Sequence, residues 1–175
     1  MKTMLDGILS VLKELEVRKV IIGMQGEDSE QYQEFCNIIK EKQIPVVVVK
    51  KGDIIKVEEN IEIRVLFPGD ELIIDNILNN NSLVFKLEYK EFKMLFTGDI
   101  EKVTEETLLK MYKSNELNSN VLKVAHHGSK SSSTEKFLEE VDASIALIGV
   151  GENNKFGHPN DDVLSRLQSL RSTSI

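Results

Sequence analysis

The chain has 175 residues, of which 41% are hydrophobic and 29% charged, and its formal net charge is −7. That length suits one domain with a real core, and the composition excludes disordered and fibrous classes. The acidic balance argues against a broad phosphate-tracking surface, which needs clustered Lys and Arg.

Leu5, Ile8, Leu9, Leu12 and Leu15 recur at helical spacing and predict an amphipathic helix over 5–16. Met1 opens straight into that pattern, so no signal peptide is visible. No apolar run approaches the length that spans a bilayer. A strand follows at 19–22, and Tyr32, Phe35, Cys36 and Ile39 predict a helix over 29–42 that starts at Asp28-Ser29. Cys36, the single cysteine, excludes an internal disulfide and is expected in that helix's core. The β-branched run Pro45 to Val49 reads as a strand buried on both faces, which would complete a strand–helix–strand crossover.

From Gly52 the pattern becomes strands separated by turns: 53–57, 61–67, 82–89 and 91–97, an antiparallel-looking middle with a polar loop at Asn79 to Ser82. Helices are expected at 101–112, 134–141 and 161–170, a strand at 144–150, and another running from Val121 into the His126-His127 pair. Ser114 to Asn120 reads as a polar connector. With no repeat, linker or break in composition, residues 1–175 are expected to form a single layered α/β domain.

Three places carry residues suited to chemistry. Asp99 ends the apolar strand 92–96 after a small Thr97-Gly98 step, so its carboxylate can project from the strand's end, although taken alone an aspartate there reads first as a cap for the next helix. His126 and His127 are adjacent. In a strand their rings would face opposite ways, but a turn at Gly128 lets both converge on a metal, or lets one ligate while the other orients a ligand. The competing reading is one core histidine and one exposed one. His158, before Pro159 and a helix start at Asn160-Asp161-Asp162, stands where an anionic group could be bound or protonated, unless it is plain loop structure. Ser129 to Thr134 reads as a solvated loop and helix cap, with Ser129 alone kept as a substrate-binding candidate.

Taken in order, Leu95-Phe96-Thr97-Gly98-Asp99, then Leu122-Lys123-Val124-Ala125-His126-His127-Gly128-Ser129, then Gly157-His158-Pro159 resembles the metallo-β-lactamase-fold hydrolases. The closest match is their ComEC-like branch, the hydrolase domain of the bacterial DNA-internalisation competence proteins. Asn81-Ser82-Leu83-Val84 and Gly149 through Pro159 also resemble that branch, and the likeness covers nearly the whole chain. It implies an αββα sandwich with a dinuclear centre at one edge. By that resemblance Asp99 bridges two divalent ions, zinc or manganese, His127 (or His126) adds a ligand, and His158 contacts substrate or moves a proton.

The family's His-x-His-x-Asp-His run is absent, because this sequence has only three histidines, all between 126 and 158. Thr3 to Leu12 resembles the helix that follows that run, with Met4 where its last histidine would stand. The expectation is therefore a partial fold, the C-terminal portion of such a domain without its N-terminal strands, with weak metal occupancy and weak or absent activity.

Uncovered apolar surface would favour self-association or docking with a complementary N-terminal segment. Three functions stay open: phosphoester hydrolysis of the DNA-uptake type when the domain is complete, with DNA met through the parent protein; a noncatalytic remnant or interaction module; and hydrolysis of a phosphoester that is not nucleic acid. Lys123, Lys130, Lys136 and Lys155 offer a local basic rim. No compartment is legible, since the chain lacks a membrane segment whereas the parent proteins of that family are membrane-embedded.

Overall fold

The computed structural model describes residues 4–24, 26–170 and 173–174, which fall into two compact units, Met1–Val49 and Lys50–Ile175. No helix among the described residues is long and apolar enough to cross a membrane.

The first unit contains helix α1 (Met4–Glu14), strand β1 (Val20–Ile22), helix α2 (Glu30–Glu41) and strand β2 (Val46–Val48). Ser29 caps α2 by accepting from the Tyr32 amide at 3.2 Å, satisfying one of the helix's free N–H groups. Leu9 and Leu12 of α1 pack with Phe35, Ile38 and Ile44 into a small core, while Ile8 and Leu15 stay exposed. Cys36 lies on α2 as expected but is exposed, not in the core. It stands one position, roughly 100°, round the helix from buried Phe35 and so falls outside the apolar stripe.

β1 and β2 pair in parallel, Val20 opposite Val46, which completes the crossover through α2. The expectation that β2 is buried on both faces is corrected: Val46, Val47 and Val48 are 40%, 39% and 56% exposed. Among the described residues the sheet has two strands, and the helices' core packs against Val20 and Ile22 of β1, while burial in the β2 segment resumes at Val49.

The second unit is built on a seven-stranded sheet, ordered β3 (Ile54–Glu58), β4 (Ile61–Phe67), β5 (Val84–Tyr89), β6 (Phe92–Phe96), β7 (Val121–Lys123), β8 (Ile145–Leu147), β9 (Thr173–Ser174). β3 to β6 form an antiparallel meander. From β6 onward the pairing is parallel, with Leu95 opposite Leu122 and Leu122 opposite Ala146. The crossovers are made by α4 (Lys102–Met111), α6 (Glu135–Val141) and α7 (Asp161–Ser169). Their inward faces meet the sheet in a core that includes Leu95, Ile100, Leu108, Leu122, Phe137 and Leu167.

Two polar segments read as loops from sequence are structured instead. Ile77–Asn80 forms a short helix, α3, and Asn80 and Asn81 are fully buried, with the Asn81 amide donating to the carbonyls of Ile73 and Ile77, each at 2.7 Å. Ser114–Leu117 is likewise a helical turn, α5, which delivers Leu117 to the core. In both, a buried residue hidden among polar neighbours set the structure, which periodicity over so short a stretch does not reveal.

Candidate metal centre

The parallel pairing positions the site. β6, β7 and β8 run the same way, so the segments that leave them emerge at one edge of the sheet, the edge where α/β layers gather functional groups. Thr97 is fully buried and donates to the Lys123 carbonyl at 2.6 Å, which locks the end of β6 to the end of β7. Gly98 follows with φ +55, and a Cβ there would come within 2.6 Å of the Ser82 Cβ. The Asp99 amide then donates to Ser82 Oγ at 3.1 Å, fixing the backbone from which the carboxylate projects.

β7 ends at Lys123, and Ala125–Gly128 turns as a short 3₁₀ segment in which His126 and His127 both take left-handed backbone conformations, φ 47 and φ 55. Two successive left-handed residues break the strand alternation, so the rings do not face opposite ways. Such conformations are costly for residues other than glycine, and they cluster at sites whose surroundings enforce them. The Asn160 amide closes the turn by donating to the Gly128 carbonyl, bringing the His158-Pro159 segment beside it.

The three histidines and Asp99 therefore come together. His127 Nε2 lies 3.7 Å from Asp99 Oδ1. Its Nδ1 lies 2.5 Å from the Gly149 carbonyl oxygen. A carbonyl only accepts, so Nδ1 carries a proton, and Nε2 is the ring nitrogen that faces Asp99. His126 meets His158 edge to face at 5.7 Å between ring centroids, and His158 stacks on Phe156 at 5.9 Å. Burial, then the neighbouring His126 and His127, lower the pKa of His158, with Asp99 opposing. Its backbone is held by Asn154, which accepts from the His158 amide at 3.0 Å and donates to its carbonyl at 2.7 Å.

Ser129 is buried, with its hydroxyl 3.0 Å from that of Ser131. The solvated reading of the whole 129–134 loop is corrected: Ser132 and Ser133 are also buried. Glu105, fully buried on α4, holds the loop from beneath by accepting from the amides of Ser133 and Thr134. Lys123 is not a rim cation, since its ammonium turns inward to the Val124 carbonyl at 2.9 Å and burial lowers its pKa. Lys130 does line an open groove of about 730 Å³ beside Glu101, with Lys102 and Arg166, but Asp75, Glu106 and Glu135 line it too.

Glu101 is the site residue that sequence reasoning missed. Its carboxylate accepts from Ser131 Oγ at 3.0 Å and from Asn80 Nδ2 at 3.3 Å, and lies 3.7 Å from His126 Nδ1. The one available signal was its spacing, two residues beyond Asp99, which a helix start explains equally well.

As a metal site the arrangement fits in part. His127 Nε2 and Asp99 Oδ1 are near enough that both would hold one divalent ion, and the Nδ1 bond to a backbone carbonyl is the outer support that ligating histidines ordinarily have. Among the described residues, however, no group of three or more His, Cys, Asp or Glu side chains is placed to hold a metal ion.

No family model matches the chain. It is 30% identical over 158 residues to ComE operon protein 3 of Bacillus subtilis (strain 168), a match covering 90% of this chain and 20% of that protein. It is 32% identical over 111 residues to competence protein ComA of Neisseria gonorrhoeae, covering 63% of this chain and 16% of that protein. Among solved structures, a protein of Parabacteroides distasonis ATCC 8503 described as a candidate metal-dependent hydrolase superposes with TM-score 0.52 at 14% identity, over 93% of this chain and 80% of that one.

The α/β architecture with its mixed sheet is that of the metallo-β-lactamase fold. Within that fold the chain is similar to the ComEC-type competence proteins over as many as 158 residues, a stretch that includes its ordered Thr-Gly-Asp and His-His-Gly-Ser motifs. It spans about one fifth of the length of the Bacillus subtilis relative.

Proposed function

We propose that this chain forms the Asp99–His127 half of a metal-dependent phosphoester hydrolase centre of the DNA-uptake type, and that ligands from outside the chain complete it. The observation that carries the reading is the pairing of His127 Nε2 with Asp99 Oδ1 at 3.7 Å, with the far side of the imidazole tied to Gly149. A divalent ion, zinc or manganese, supplies Lewis acidity for ester hydrolysis when bound. Asp99 offers a carboxylate on a held backbone, and His127 a ring nitrogen whose orientation is preset by Gly149. His158, stacked on Phe156 and edge to face with His126, is placed to contact the phosphoryl group or to move a proton. His126 borders both. Ser129 supports the turn and is the remaining candidate for substrate contact.

On this reading residues 1–175 act as the C-terminal portion of one metallo-β-lactamase-fold domain, and DNA is met by the longer protein. The competence relatives support DNA over another phosphoester. The absence of a three-ligand group among the described residues favours a second reading, a noncatalytic module whose exposed β2 docks a further strand or a second copy.

The test is hydrolysis of single-stranded DNA, and in parallel of glycerophosphocholine, by a ComEC-type domain containing this segment, in zinc or manganese. DNA cleavage lost in both Asp99→Ala and His127→Ala supports the proposal. Cleavage of the choline ester alone supports the other substrate class, and inertness with both metals supports the module.

A further inference from the structure

Glu101 stands at the N-cap position of α4, yet its side chain caps nothing there. Its backbone amide donates instead to Asn80 Oδ1 at 3.0 Å, and its carboxylate is gripped from two sides by Ser131 and Asn80. Asn80 is itself immobile: it is fully buried, donates to the Asp75 carbonyl at 2.9 Å, and accepts from Thr104 Oγ1 at its side-chain oxygen. A carboxylate fixed this firmly at a helix start has capacity left for one more donor.

The donor available is His126. Its Nδ1 is one of two buried side-chain polar atoms among the described residues that have no hydrogen-bond partner, and it faces Glu101 Oε1 at 3.7 Å. That distance is too long for a hydrogen bond, and a movement of about 1 Å brings it into the charge-assisted range. Buried polar atoms seldom stay unpaired, and bonds at catalytic centres are often long before ligands arrive.

We infer that Glu101 is a positioning residue: it holds the proton of His126 on Nδ1 and so leaves Nε2, on the far side of the ring, with its lone pair free in a ring that meets His158 edge to face. This rests on the hydrolase reading for its purpose but not for its observation. The two adjacent histidines then have the same tautomer by different means, His127 through the Gly149 carbonyl and His126 through the Glu101 carboxylate.

The experiment is long-range ¹H–¹⁵N correlation spectroscopy of the histidine rings in the metal-free chain at a pH where they are neutral, with the His126 signals assigned by their loss in His126→Gln. The expected result is a predominant Nδ1–H tautomer for His126 in the wild type, turning to a majority of Nε2–H in Glu101→Leu, with Glu106→Gln on the same helix leaving it unchanged. A wild-type His126 protonated on Nε2, or an unaltered Nδ1–H tautomer in a folded Glu101→Leu, overturns the assignment. If Glu101→Leu does not fold, the wild-type tautomer decides alone. Because no metal is present, failure here is separate from failure of the chain to bind zinc.

Discussion

The backbone amide of His126 donates to the carbonyl of Gly98 at 3.0 Å. Through that bond the turn carrying the histidine pair is fastened to the step carrying Asp99, so the geometry of the centre depends on a glycine that touches no ligand. Gly98 has φ +55, and a Cβ would meet Ser82 at 2.6 Å. Gly98→Ala is expected to lower stability by about 2–4 kcal/mol, from left-handed strain and the forced displacement of Ser82. Urea unfolding measures this, and Gly69→Ala, where a Cβ meets nothing within 4 Å, is the control.

Glu105 gives a pH signature away from the centre. Burial raises its pKa above the usual carboxylate value, against the lowering effect of the Thr134 and Ser133 amides. With the folded pKa above the unfolded one, its favourable contribution is complete at pH below the unfolded value and is lost as pH rises through the folded value. The stability of wild type relative to Glu105→Gln should therefore fall on going from about pH 4 to pH 7. Glu105→Ala, which strands two buried amides, should cost about 2–4 kcal/mol at acidic pH. A wild-type advantage over Glu105→Gln that grows with pH would contradict the sign.

The exposed valines of β2 predict association. A two-stranded sheet with Val48 56% exposed offers open strand edges and apolar faces together. Sedimentation equilibrium should show mass rising with concentration, and Val48→Lys should shift the distribution toward monomer. An ideal monomer at every concentration would count against both self-association and strand docking at this edge.

Much of this structure was legible from residue patterns. The antiparallel strands and α2 with its Ser29 cap follow from periodicity and turn chemistry, while the gathering of Asp99 with the histidines was legible only through the family resemblance of the ordered motifs. What escaped notice depended on neighbours distant in sequence. Val46 to Val48 have the composition of a buried strand, but exposure is decided by what packs on the sheet's faces, and the helices' core packs on Val20 and Ile22 of β1. Cys36 missed the core by its angle round a helix. Ser132 and Ser133 look like solvated loop residues, and their burial is set by Glu105, some thirty positions earlier. Glu101 reads as a helix start because only the fold brings Asn80, Ser131 and His126 to its carboxylate.

The measurement that bears most directly on the centre is calorimetric titration of the purified chain with zinc and manganese, alongside Asp99→Ala and His127→Ala. The account predicts binding of one equivalent, weak because the chain supplies two ligands, and its loss in both variants. No binding of either metal, or binding that survives both substitutions, would contradict the pairing of Asp99 with His127 as a metal site.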